Sequence, residues 1–346
     1  SLVGSEMCIR DRYNGNKRLK TIQQEKLNNQ VAELDVATSE NNIQESIAQV
    51  YIQILYAAES VKVNESTLQV SIAQRDRGQE LLNAGSIAKS DFAQLEAQVS
   101  TDRYQLVTAQ ATLEDYKLQL KQLLELDGEN EMNIYLPALS DENVLAPLPT
   151  KKDVYISALS LRPEIEASKL NVEASELGIG IAKSSYLPTI SLSAGIGTNH
   201  TSGSDFTFGE QVKNGWNNSI GLSVSVPIFN NRQTKSAVQK AKLQYETSML
   251  SLLDEQKTLY KTIEGLWLDA NSAQQRYAAA NEKLKSTQIS YELISEQFNL
   301  GMKNTIELLT EKNNLLQAQQ EQLQAKYMAI LNTQLLKFYQ GDQLAL

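Results

Sequence analysis

Few side chains in this sequence have the type and spacing that catalysis or ligand binding would need. His200 is the only histidine, and no run of potential metal ligands accompanies it. Residues 86–89 have the S-x-x-K spacing of a serine nucleophile beside a lysine base, but the companion motifs are missing. The Gly-Ile-Gly at 195–197 does not continue into a phosphate-binding pattern. We therefore expect no enzyme activity, no catalytic residues, no cofactor and no metal site.

The bulk composition excludes further classes of protein. The chain has 346 residues and a net charge of −9, with no run of Lys or Arg, so nucleic acid is not an expected partner. The single cysteine, Cys8, permits neither an internal disulfide nor a cysteine-based metal site. No stretch of 18 apolar residues occurs, so no transmembrane helix is predicted, whereas short alternating strands that span a membrane remain possible.

The elements that position any functional residue follow from an internal repeat. All six prolines lie between 137 and 227, which leaves residues 1–136 and 228–346 free of proline and rich in helix formers. An offset of 216 residues relates these two parts, and the aligned pairs include Ile47 with Ile263, Leu68 with Leu284, Gly85 with Gly301, and Asp91 with Glu307. Each copy carries apolar residues every seven positions, which is typical of helices packed along a seam. Each copy is therefore predicted to form a long helix, a break at glycine and a returning helix, with Ser86 or Ser90 as a cap in the first.

The part of the chain that contains the prolines has a different pattern. Thr150 and Pro163 mark the starts of two predicted helices, the second ending near Ser184. Residues 188–198 and 219–228 then alternate between aliphatic and small or polar side chains. Two such strands are long enough to span a bilayer when tilted, but a soluble hairpin packed on helices would show the same alternation. Because two strands cannot close a barrel, a membrane location would require strands from other copies.

Several spaced motifs resemble the TolC-type outer-membrane efflux protein family. The matching segments are Arg-Pro-Glu at 162–164, AKSSYLPT at 182–189, VPIFN at 226–230, and the breaks NAG at 83–85 and NLG at 299–301. The resemblance covers about residues 13–346. It implies a mainly α fold with a β-hairpin, in which duplicated coiled-coil hairpins form a tunnel and the strands contribute to the β-barrel of a trimeric channel.

The resemblance also implies a function and partners. It predicts an outer-membrane channel subunit of a tripartite efflux or type I secretion system, a passive exit duct for drugs or other small molecules. The helical part would lie in the periplasm. The implied partners are two further copies in a homotrimer, a periplasmic adaptor, an inner-membrane pump of the RND or ABC type, and outer-membrane lipid. The alternative is a coiled-coil scaffold protein that forms no channel.

Five segments follow from the repeat and the resemblance. We expect a non-native leader at 1–12, a first helical hairpin at 13–136, a linker with helices at 137–186, a β-hairpin at 187–228 and a second helical hairpin at 229–346. Residues 1–12 show no alternation and stand where the other copy has a strand. The leader is therefore expected to replace a native strand, with further native sequence before it, so that the chain carries two of four strands and forms no complete barrel.

In the family, a closed gate surrounds the helix breaks. The matching gate residues here are Ser90, Asp91, Phe298, Lys303, Glu307, Thr310 and Glu311. Phe298 has no hydroxyl to donate and Lys303 makes no bidentate contact, so the family's full latch is not expected, although an Asp91–Lys303 ion pair is. Glu307, present in each copy of a trimer, would favour cations at the entrance. The alternative is that these side chains are simply solvated.

Three further sets of residues complete the predicted sites. The expected adaptor-docking tips are Ala84, Gly85, Ile87, Leu300, Gly301 and Met302, although the two glycines would equally serve as helix breakers. Tyr186 and Trp216 are candidates for anchors at the membrane interface, or else packing aromatics. Arg162 is expected to pair with a carboxylate in a structural role.

Overall fold

The structure, a computed structural model, describes residues 2–126, 134–135, 144–203 and 205–344. The predicted linker starts at 137, so its first residues lie outside the described part of the chain. The elements in chain order are β1 (Leu2–Asn14), α1 (Lys17–Asn83), α2 (Lys89–Leu123), α3 (Lys151–Leu161), α4 (Pro163–Ser184), β2 (Thr189–His200), α5 (Phe208–Asn214), β3 (Asn217–Ser225), α6 (Gln233–Asn299) and α7 (Thr305–Gln340). Among the described residues, no helix combines the length and the apolar character needed to cross a bilayer.

The chain divides into two compact units. The first comprises Ser1–Ala37 and Pro163–Lys257, and the second comprises Thr38–Arg162 and Thr258–Leu346. The sheet and α4 belong to the first unit, and both helix breaks belong to the second. Helices α1 and α6 each contribute to both units because each continues without interruption for 67 residues.

The helix bounds confirm the duplication. Helix α6 begins 216 residues after α1 and has the same 67-residue length, and the same offset separates the starts of α7 and α2. The turns that lead into α1 and α6 also match. Gly15 and Asn16 have φ of 64° and 63°, and their counterparts Asn231 and Arg232 have φ of 50° and 62°. Two consecutive left-handed residues therefore turn the chain into the long helix in both copies.

The first unit contains an antiparallel sheet with the strand order β1-β2-β3. Strand β1 pairs with β2 from Leu2 opposite His200 to Asn14 opposite Thr189. The expectation of only two strands is therefore wrong, because the described residues contain three. Antiparallel pairing uses backbone groups, which do not depend on the alternation of side chains that residues 1–12 lack. The assignment of 1–12 as a non-native leader stays a prediction.

The other strand and helix predictions hold with small shifts. Strand β3 ends at Ser225, before Pro227, because proline has no amide hydrogen to donate to a neighbouring strand. The short helix α5 lies between β2 and β3. Its start has a sequence signal, since the Thr207 amide donates to the Glu210 carboxylate at 3.0 Å in the Thr-x-x-Glu spacing of a capping box. The predicted starts of α3 and α4 and the end of α4 are confirmed.

The long helices pack in the second unit through their seven-residue stripes. Ile54, Ile263 and Ala270 are each at most 1% exposed. A larger apolar cluster includes Ile52, Leu55, Tyr277, Tyr327 and Ile330. These positions come from α1, α6 and α7, so the stripes of the two repeats bury one another.

Arg162 lies buried at the C-terminal end of α3. Its guanidinium pairs with Glu45 at 2.5 Å and lies over the ring of Tyr339 at 3.7 Å and that of Phe338 at 5.1 Å. The predicted carboxylate partner is therefore confirmed. Burial raises the pKa of Tyr339 to about 12, so the ring beside the guanidinium stays neutral at physiological pH.

Replacing this arginine should destabilise the fold. Arg162→Ala leaves the Glu45 carboxylate unpaired and removes the cation–ring contacts, so we expect the free energy of unfolding to fall by about 3 kcal/mol. The control is Lys169→Ala, which removes the exposed Lys169–Glu166 pair and should cost less than about 1 kcal/mol. Urea denaturation followed by circular dichroism measures both. Equal losses in the two variants would contradict the structural role of Arg162.

Candidate functional site

Both helix breaks are built on a glycine with a left-handed backbone. Gly85 has φ of 74° and Gly301 has φ of 71°. The amides of Gly85 and Ser86 donate to the carbonyls of Leu82 and Leu81 at 2.9 and 2.8 Å. The second break has the same two bonds at the same lengths, shifted by the repeat offset. This is the Schellman arrangement, which satisfies the last carbonyls of a helix. The prediction that the glycines close the helix ends is confirmed.

The returning helices begin with an acidic residue in their first turn. In α7, the Asn304 side chain accepts from the Glu307 amide at 2.9 Å, and the Glu307 carboxylate accepts from the Asn304 amide at 3.2 Å. In α2, the matching carboxylate of Asp91 accepts from the amide of Ala88 at 3.4 Å. Ala88 occupies the N-cap of α2, so the predicted cap at Ser86 or Ser90 is wrong. The Asp91 carboxylate satisfies the amide of this N-cap residue, and no N-cap side chain accepts from the first-turn amides of α2.

Lys303 and Glu307 form an ion pair at the start of α7. Their side-chain atoms are 2.5 Å apart, and both side chains are partly exposed. The hydrogen bond from Lys303, followed by that from the Asn304 amide, lowers the pKa of Glu307. The predicted Asp91–Lys303 pair does not form within the chain. Lys303 stands four residues before Glu307, so the nearer carboxylate along the same segment takes its ammonium.

Phe298 lies in the core rather than on the surface of the tip. It is 2% exposed and packs with Leu95 and Leu308, supported by the partly buried Leu81 and Tyr291. Its missing hydroxyl is thereby accounted for, since a phenol oxygen at this depth would need a hydrogen-bond partner. Any gate role of Phe298 would act through the packing of α6 against α2 and α7.

The remaining predicted gate residues stand close to the tip in separate environments. Ser90 is exposed in the first turn of α2, and the hydroxyl of Thr310 donates to the Ile306 carbonyl of its own helix at 2.8 Å. The half-buried Glu311 accepts from Ser290 of α6 at 3.0 Å. Only Lys303 and Glu307 of the predicted gate set are therefore joined directly within one chain.

The tips themselves are apolar and open to solvent. Leu300 is 75% exposed and Met302 is 70% exposed, with Ala84 exposed at the other break. Ile87 is only half-buried, with its side chain near Gly78 of α1. In the first unit, Tyr186 and Trp216 are also more than half exposed, and Trp216 directly precedes β3. The structure thus exposes most of the predicted contact residues, whose partners stay predictions.

A buried polar cluster of Ser71, Asp102 and Lys312 was not predicted from the sequence. Lys312 of α7 donates to both the carboxylate of Asp102 in α2 and the hydroxyl of Ser71 in α1. A signal was present, because Lys312 stands between Leu308 and Leu315 at the spacing of the buried face of α7. Within the described residues, no three His, Cys, Asp or Glu side chains come together in a group that could hold a metal ion.

The chain matches the family model described as "Outer membrane efflux protein" over residues 154–341. It is 24% identical over 294 residues to the outer membrane efflux protein BepC of Brucella suis biovar 1. The aligned part makes up 84% of this chain and 61% of BepC. It is 23% identical over 311 residues to the outer membrane protein TolC of Escherichia coli K12. That alignment makes up 87% of this chain and 62% of TolC. The chain thus spans about three fifths of the length of these relatives.

Solved structures share the fold. The channel CusC superposes with a TM-score of 0.83 at 17% identity, over 99% of this chain and 83% of that one. The CmeC outer membrane channel of Campylobacter jejuni superposes with a TM-score of 0.80 at 17% identity, over 99% of this chain and 78% of that one. At this identity the likeness concerns the fold, and it confirms the predicted fold class.

The left-handed glycines should be sensitive to substitution by conformation alone. An added Cβ at Gly301 would meet nothing within 4 Å, so Gly301→Ala should lower the free energy of unfolding by about 1 kcal/mol through backbone strain. Gly265, inside α6, also has open space around it but has no positive φ. Gly265→Ala should therefore raise the stability by about 1 kcal/mol. Thermal unfolding of both variants provides the measurement, and a change of the same sign in both would contradict the explanation.

Proposed function

The chain belongs to the outer membrane efflux protein family, and we propose that it forms part of the wall of a passive exit duct across the outer membrane. In this proposal three copies assemble, and each supplies two helical hairpins and the strands of the first unit. Nothing in the described part of the chain suggests a site for nucleotide, so energy for export would come from a partner pump. Family membership favours this function over a coiled-coil scaffold.

The observation that carries the proposal is the pair of matched helical hairpins. The family model covers the second hairpin and the segment before it, and the repeat extends the same geometry to the first hairpin. Two hairpins whose long helices have the same length, each reversed by a left-handed glycine, are suited to lie side by side in a wall. A wall of this kind becomes a tunnel when copies close into a ring.

The sheet supports a membrane location for the other part of the duct. Strand β3 is exposed along its whole length, and its aliphatic residues Ile220, Leu222 and Val224 are each at least 60% exposed. An uncovered aliphatic face of this extent requires either lipid or protein to cover it. We assign it to outer-membrane lipid, with the exposed Trp216 and Tyr186 at the interfaces.

The exposed tips are the proposed contact with a periplasmic adaptor. Leu300, Met302 and Ile306 present an apolar patch at the second break, and each is more than 60% exposed. An adaptor would connect the duct to an inner-membrane pump of the RND or ABC type. Among the relatives are "Toxin and drug export protein A" of Aggregatibacter actinomycetemcomitans and "Antibiotic efflux pump outer membrane protein ArpC" of Pseudomonas putida. Their names support drugs or other small molecules as the exported compounds.

A selectivity measurement tests the duct and the role of Glu307 together. We expect the full-length trimer, reconstituted in planar bilayers, to conduct with a preference for cations, because three copies of the Glu307 carboxylate would surround the entrance. Glu307→Gln should shift the reversal potential in a salt gradient toward zero. Glu307→Asp keeps the charge and serves as the control, which should retain the selectivity.

Two results would contradict the proposal at different levels. Equal reversal potentials for Glu307→Gln and the parent would remove Glu307 from the conducting path while leaving the duct intact. The absence of any conductance from the full-length trimer would contradict the duct itself and favour the scaffold alternative.

A further inference from the structure

The polar cluster of Ser71, Asp102 and Lys312 joins three helices at one point in the second unit. One oxygen of the Asp102 carboxylate accepts from both Lys312 and Ser71, and the Ser71 hydroxyl also accepts from Lys312. The other carboxylate oxygen accepts from Gln98 of α2 at 2.8 Å. Both oxygens of the carboxylate therefore have partners, and the cluster connects the second repeat to both helices of the first.

This cluster is the most deeply buried ion pair among the described residues. The side chains of Lys312 and Asp102 are 3% and 1% exposed, and Ser71 is 2% exposed. Burial lowers the pKa of Lys312, although the Asp102 carboxylate opposes that shift. A buried pair gains little net stability over well-packed apolar residues, since desolvation offsets most of the attraction. Net stability is therefore a weak reason for this pair to exist.

The cluster is absent from the matching place in the other repeat. The repeat offset aligns Ser71 with Thr287, Asp102 with Ala318 and Lys312 with Glu96. Ala318 is fully buried, Glu96 is exposed, and the Thr287 hydroxyl bonds to carbonyls of its own helix. One of the two equivalent junctions is thus charged and the other is not. This difference breaks the symmetry between two hairpins that are otherwise alike.

Two similar hairpins with seven-residue stripes can pack against each other in more than one register. Sliding one hairpin along the other by seven residues brings apolar positions opposite apolar positions again, so the stripes alone do not select one register. A shift of this kind would bring Lys312 level with Leu95, which lies seven residues before Asp102 and is 1% exposed. The ammonium would then be buried without its partner, which is strongly unfavourable.

We propose that the Ser71–Asp102–Lys312 cluster is the contact that sets the register and the pairing of the two hairpins, rather than a source of stability. Lys312 acts as a positioning residue that fixes where α7 lies along α2. This role goes beyond the proposed export function and does not depend on it. It requires only α1, α2, α6 and α7 as they pack in the second unit.

The test replaces the charges with apolar groups of similar size in Asp102→Leu/Lys312→Met. Nitroxide labels at Thr101 in α2 and Asn313 in α7, both exposed positions, report the distance between the two helices in the Cys8→Ser background. We expect the parent to give one narrow distance. The apolar variant should keep its helical signal and melting temperature but give a second population, displaced along the helix by about 10 Å for a seven-residue slip.

The matched control removes a different ion pair between helices. Lys283 and Glu321 join α6 to α7 at 2.7 Å, but both side chains are more than 40% exposed. Lys283→Met/Glu321→Leu should leave the single distance unchanged. A single narrow distance in Asp102→Leu/Lys312→Met would overturn the proposal. Loss of its helical signal would overturn it as well, because the pair would then be needed for folding. Neither result depends on whether the protein conducts.

Discussion

The structure depends on the need of each long helix to bury a stripe of apolar residues that recurs every seven positions. A helix of 67 residues cannot bury such a stripe against itself, so it requires neighbours along much of its length. The left-handed glycines at Gly85 and Gly301 return the chain so that α2 and α7 can supply those neighbours. The helix lengths, the Schellman bonds and the shared core of the two repeats all follow from this requirement.

The tip and the buried cluster differ in what their polar contacts do, although both lie in the second unit. At the tip, Asn304 and Glu307 satisfy the free amides at the start of α7, and Lys303 neutralises the carboxylate. These contacts are local and exposed, so they leave the tip free to contact a partner. The cluster around Lys312 lies deeper and connects the repeats. The chain thus separates the residues that face outward from those proposed to hold the hairpins in register.

Most of the fold could be predicted from the sequence, because seven-residue periodicity and helix-breaking residues are typical of helices that pack along a seam. The offset between repeats predicted that each copy forms a long helix, a break at glycine and a returning helix, which the structure has as α1 with α2 and α6 with α7. Strand β1 was missed because residues 1–12 lack the side-chain alternation on which the strand prediction relied, whereas strand pairing itself needs only backbone groups. The Asp91–Lys303 ion pair does not form within one chain, because Lys303 pairs with Glu307 four residues further along the same segment. The spacing of Lys312 on the buried face of α7 was a signal of burial, but the sequence did not show which carboxylate on another helix would pair with it.

In the proposed duct, the two hairpins of each copy are equivalent wall segments that alternate around a ring. Electron cryomicroscopy of the assembled protein in lipid nanodiscs would show whether they do. We expect a closed ring of helices in which first and second hairpins alternate, with Gly85 and Gly301 at the same end. Particles in which hairpins pair without closing around a central opening would contradict the claim.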